Sequence, residues 1–71
     1  MNYTKVTGVY SQGNKFIALI NINQKKIILG EYNSFVEAVK SRHKAEIDNM
    51  FPSSTNSSAF HYLNKKGLLY D

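Results

Sequence analysis

The chain has no cysteine, so neither a disulfide framework nor a thiolate zinc site can stabilise it. It has no tryptophan and a single proline, Pro52. No apolar run approaches the ~20 residues needed to span a bilayer, so no membrane role is expected. Residues 1–20 lack the charged start, apolar block and small-residue cleavage site of a secretory signal. Acids are missing from the whole first part of the chain, where Glu31 is the earliest. Arginine is nearly missing too: Arg42 stands alone among nine cationic side chains. With 71 residues, one domain with a marginal core is expected.

What is present begins with a loose arm, Met1 to Lys5, and a short strand from Val6 to Tyr10. Gly13 and Asn14 tolerate positive φ and mark a turn. Lys15 to Ile22 is the strongest strand. Phe16, Ala18, Ile20 and Ile22 share one face by period two, and Lys15, Ile17, Leu19 and Asn21 share the other. Asn23-Gln24 is a tight hairpin turn into a third strand, Lys25 to Leu29, closed by Gly30. All cations of this sheet, Lys15, Lys25 and Lys26, are lysines without a neighbouring acid, which favours a polyanionic partner.

Ser34-Phe35-Val36-Glu37 is a capping box, and no proline or glycine follows until after Asn49. The helix presents Phe35, Ala38, Val39, Ala45 and Met50 on one face, its small residues suited to lying on a sheet. Pro52 ends it. Ser53 to Ser58 reads as polar linker, and Ser57 or Ser58 caps a short second helix, Ala59 to Lys66, stopped by Gly67. A tail bearing Phe60, Tyr62, Leu63, Leu68, Leu69 and Tyr70 is too apolar to remain undocked. The expected fold is α+β: a three-stranded antiparallel sheet packed on one α-helix, with a short C-terminal helical or irregular extension. In residue ranges, 1–51 is sheet plus helix, 52–58 linker, and 59–71 a segment docked on the same domain.

The stretch from Thr7 to Glu46 resembles the Apetala-two/ethylene-response-factor DNA-binding domain. The residues that carry the likeness are Gly8-Val9, Lys15-Phe16 through Ile20, Leu29-Gly30 with Tyr32, Ser34 through Ala38, and Ala45. The lean form is similar to copies in bacteriophage homing endonucleases and mobile-element integrases. The resemblance implies a sheet laid in the major groove of duplex DNA, in a bacterial cytoplasm. Its groove-facing positions would be Thr7, Tyr10, Gln12, Lys15, Leu19, Asn21, Lys26 and Ile28. Lys15, Lys25 and Lys26 would then serve phosphates, Gln12 and Asn21 adenine edges, and Tyr10 a phosphate or thymine methyl.

The plant family carries arginines and a tryptophan on that face, whereas this chain has aliphatics, Ile17, Leu19 and Ile28. A second reading follows: a phage-encoded inhibitor, an anti-CRISPR for example, that binds a host protein through those three residues. The same three are also the first expected docking place for the apolar tail. A third reading, a DNA-targeting piece of a larger homing endonuclease, is disfavoured by the methionine at position 1. His43 and His61 are the only histidines, too few ligands for zinc without carboxylates, and no nucleophile has a base beside it. No enzyme activity, metal or cofactor is therefore expected. The chain is expected as a monomer or homodimer.

Overall fold

Two tight turns set the sheet. In the computed structural model, which describes residues 2–69, Gln12 pairs with Lys15 across Gly13-Asn14, and Ile22 with Lys25 across Asn23-Gln24. Gly13 has φ +59°, and Asn23 and Gln24 have φ +53° and +66°, the conformation two-residue hairpin loops require. The strands are β1 (Asn2–Tyr3), β2 (Val9–Gln12), β3 (Lys15–Ile22) and β4 (Lys25–Tyr32). They form one antiparallel sheet in the order β1-β2-β3-β4.

The sheet therefore has four strands and not three. The segment expected as a loose arm supplies the fourth, pairing Asn2 with Ser11 and Tyr3 with Tyr10. The Thr4 hydroxyl secures the return by donating to the Val9 carbonyl at 2.6 Å and accepting from the Val6 amide at 3.2 Å. Val6 belongs to this loop, and turns into the core. Gly8 then takes φ +83°, so β2 starts only at Val9. A Cβ on Gly8 would sit 2.7 Å from the Leu19 carbonyl and 2.8 Å from the Arg42 guanidinium, so glycine is required twice over.

Nor does Gly30 end the last strand. The pairing jumps from Leu19↔Ile28 to Ala18↔Gly30, which leaves Leu29 as the extra residue of a β-bulge. Leu29 turns to the core beside Gly30, and Tyr32 swings inward to donate to Ser41 Oγ at 2.8 Å. The Tyr32 ring lies across Gly30, where a Cβ would meet its hydroxyl at 2.8 Å.

Helix α1 (Phe35–Asp48) starts where Ser34 Oγ accepts from the Glu37 amide at 3.1 Å. Its buried stripe is Ala38, Val39, Arg42, Ala45 and Glu46, a 3.6-residue repeat laid on the sheet. Met50 is not on that stripe. It is 88% exposed with φ +57°, and closes the helix so that the Phe51 amide reaches the Glu46 carbonyl at 2.9 Å. The termination thus precedes Pro52, which opens a 3-10 turn, Pro52–Thr55, inside the stretch expected as linker.

Helix α2 (Ser58–Lys66) is capped by Ser57 and stopped by Gly67 at φ +73°. It lies against α1 and the Val6 loop, with Ala59 and Leu63 buried and Tyr62 edge-on to Phe35 at 5.0 Å. Leu68 and Leu69 pack on the same core, while Tyr70 lies outside the described residues. The tail docks on the helix side of the sheet, not on Ile17, Leu19 and Ile28.

Candidate nucleic-acid interface

Cross-strand partners point the same way, so the register sorts every strand residue by face. Val9, Ala18 and Gly30 form one row under the helix, with Ser11, Phe16 and Tyr32 beside them. The opposite, outer face carries Gln12 with Lys15, then Tyr3, Tyr10, Ile17 and Glu31, then Leu19 with Ile28, then Asn21 with Lys26. Neither helix packs there, since α1 rests on the other face and α2 on α1.

Leu19 and Ile28 aside, seven positions are expected to meet DNA, and five of them share this face: Tyr10, Gln12, Lys15, Asn21 and Lys26. All but the half-buried Tyr10 are exposed. The other two do not. Lys25 pairs with Ile22 and so belongs to the helix side of the hairpin end, although it is solvent-exposed. Thr7 sits in the loop before β2, where its amide donates to Ser58 Oγ at 2.8 Å, a tie to the start of α2. Lys15 is steadied by a hydrogen bond from its ammonium to Asn33 Oδ1.

The three aliphatics of the alternative reading also separate. Leu19 is only 3% exposed, at the floor of a depression walled by Tyr3, Tyr10 and Lys26. It lies on the outer face, as period two expects, but it is covered there and not open. Tyr3 sits with its ring 5.3 Å from Tyr10, and the pair helps close that depression. Ile17 is half-buried, and Ile28 is 67% exposed. Tyr3 itself, 87% exposed, is an apolar member of the face that sequence reasoning missed, because two residues are too few to show strand periodicity.

Arg42 explains why the face carries no guanidinium. Its Nη1 donates to the Leu19 carbonyl at 2.9 Å, a group that β2 leaves unpaired because the chain turns away at Gly8. Its Nε binds Glu46 Oε2 at 2.8 Å, and Ser57 Oγ donates to Glu46 Oε1 at 2.7 Å while accepting from the Phe60 amide. Glu46 is 1% and Arg42 9% exposed. One polar chain thus joins β3, α1 and the cap of α2. The spacing of Arg42 and Glu46 on the Ala38–Ala45 stripe was the available signal for this pair.

His43 Nε2 lies 3.1 Å from the Ser54 carbonyl, and His61 Nε2 lies 2.9 Å from Asn56 Oδ1, with the Phe60 ring between the two imidazoles. Among the described residues, no three His, Asp or Glu side chains come together in a way that would hold a metal ion. No helix of the described residues is long and apolar enough to cross a membrane. No family model matches the chain, and neither a curated protein nor a solved structure gives a significant match.

Proposed function

We propose that this protein is a small non-enzymatic module that reads duplex DNA with the outer face of its sheet, of phage or mobile-element type. The observation that carries the reading is the docking of α2 and the tail on the helix side. That arrangement leaves Tyr10, Gln12, Lys15, Asn21 and Lys26 together on an uncovered surface. The major groove admits a β-ribbon, and other sheet proteins read DNA with strands laid in it. Lys15 and Lys26 contact phosphates, and the amides of Gln12 and Asn21 meet adenine N6 and N7. Ile28 meets a thymine methyl. Arg42 is committed to the interior, so guanine readout by arginine is absent, and with Gln12 and Asn21 on the face the preference leans to A·T. The test is a titration with mixed-sequence and A·T-rich duplexes at ~50 mM salt, a concentration at which phosphate contacts are strong. Binding with an A·T preference is expected, and no binding to either duplex overturns the reading.

The exposed Tyr3 and Ile28 favour one alternative, a host protein as the partner of the same face. Leu19 is unsuitable for testing it, because an aspartate there would be buried. Ile28→Lys separates the two readings. A DNA reader loses one methyl contact but keeps or gains affinity through the added cation, whereas an apolar protein interface is abolished.

A further inference from the structure

A second basic cluster lies away from the strands. Lys5 Nζ is 5.2 Å and Lys66 Nζ 5.8 Å from the centroid of the Tyr62 ring. Beside them opens a pocket of about 330 Å³ lined by Lys5, Val6, Ser58, His61, Tyr62 and Lys65. No acid lines it. Among the described residues the salt bridges are Arg42–Glu46 and Lys44–Asp48, so none engages Lys5, Lys65 or Lys66. Lys5 and Lys66 thus reach the Tyr62 ring while Lys65 lines the pocket beside it, a gathering of cations that favours an anion there. The hydroxyl of Ser58, which already accepts from the Thr7 amide, adds a donor at the pocket wall.

The position of the pocket matters as much as its charge. Lys5 follows Tyr3 by two residues, and an extended chain covers at most roughly 7 Å in that interval. Tyr3 is on the outer face and the Lys5 ammonium reaches Tyr62 of α2, so the cluster begins at the β1 rim of the sheet. We propose that this pocket is a phosphate subsite, occupied by the DNA backbone where it passes the β1 rim. The inference rests on the groove reading for its occupant, but the cation cluster stands independently of it.

The experiment compares the wild type, a triple Lys5→Gln/Lys65→Gln/Lys66→Gln variant, and an Asn21→Ala variant in duplex titrations across salt. A pocket that holds one or two backbone phosphates contributes about 1 to 2 to the magnitude of the log–log salt slope, at roughly 0.9 per phosphate, and the triple variant should lose that much. Affinity should fall equally for every duplex, so the rank order of sequences is kept. An unchanged slope in the triple variant, with its thermal unfolding unaltered, overturns the subsite and leaves the sheet reading in place. If instead Asn21→Ala leaves both affinity and rank order unchanged while the triple variant abolishes binding, the sheet reading fails and the subsite survives. A parallel NMR titration uses inorganic phosphate as the probe. Shifts at the Lys5, Ser58 and Lys65 amides with duplex, and weak ones with inorganic phosphate, support the backbone as occupant. Tight saturation by inorganic phosphate without any shift on adding duplex assigns the pocket to a free anion and overturns it.

Discussion

Arg42 and Glu46 show how few residues decide the interior. Each is satisfied only through the other, the Leu19 carbonyl and Ser57. Arg42→Met therefore strands a buried carboxylate, and a loss of about 3–5 kcal/mol is expected from urea unfolding. The double change Arg42→Met/Glu46→Leu should recover much of that loss, because no charge remains to be paired. Two other residues hold left-handed conformations that suit glycine better, Gln24 at φ +66° in the β3–β4 turn and Met50 at φ +57° after α1. Gln24→Gly and Met50→Gly should each stabilise by on the order of 0.5–1 kcal/mol, read as a rise in the denaturation midpoint. Asn23 announced its turn by residue type; Gln24 and Met50 did not, since neither favours positive φ.

At the scale of elements, Ser34, Ser57 and Gly67 mark helix ends that are visible in sequence because a cap needs one residue type at one place. That α2 docks was read from its apolar residues; where it docks was not visible. It depends on Val6, Ala59 and Leu63 meeting across more than fifty positions of chain, and no local pattern encodes that meeting. Ser57 serves both the α2 amides and Glu46. Ser57→Ala is expected to cost on the order of 2 kcal/mol, more than a cap alone, with amide exchange accelerating first in α2. Likewise β1 escaped notice because two residues carry no period, yet its Tyr3 lines the depression that has Leu19 in its wall.

For the whole molecule, the face assignment makes a sharper prediction than net charge does. Lys15→Gln and Lys26→Gln should each lower the salt slope of duplex binding by roughly 0.9, while Lys25→Gln, on the opposite face, should change it far less. Composition pointed to all three lysines alike; only the register separates them. The candidate surface was thus legible as a set of residues from alternation, and its membership was settled by pairing.

The bulge at Leu29 uncouples curvature from pairing. Removing that one residue would let Gly30, Glu31 and Tyr32 keep their partners Ala18, Ile17 and Phe16, with Ile28 still opposite Leu19. Every side chain would stay on its own face, but the local coiling that a bulge adds would relax, and one leucine would leave the core. A deletion at this position is therefore a flattening mutation and not a frameshift of the ladder. A shortened chain that keeps its cross-strand NOEs yet loses duplex affinity would identify sheet shape, apart from side-chain identity, as a determinant of how this protein meets its partner.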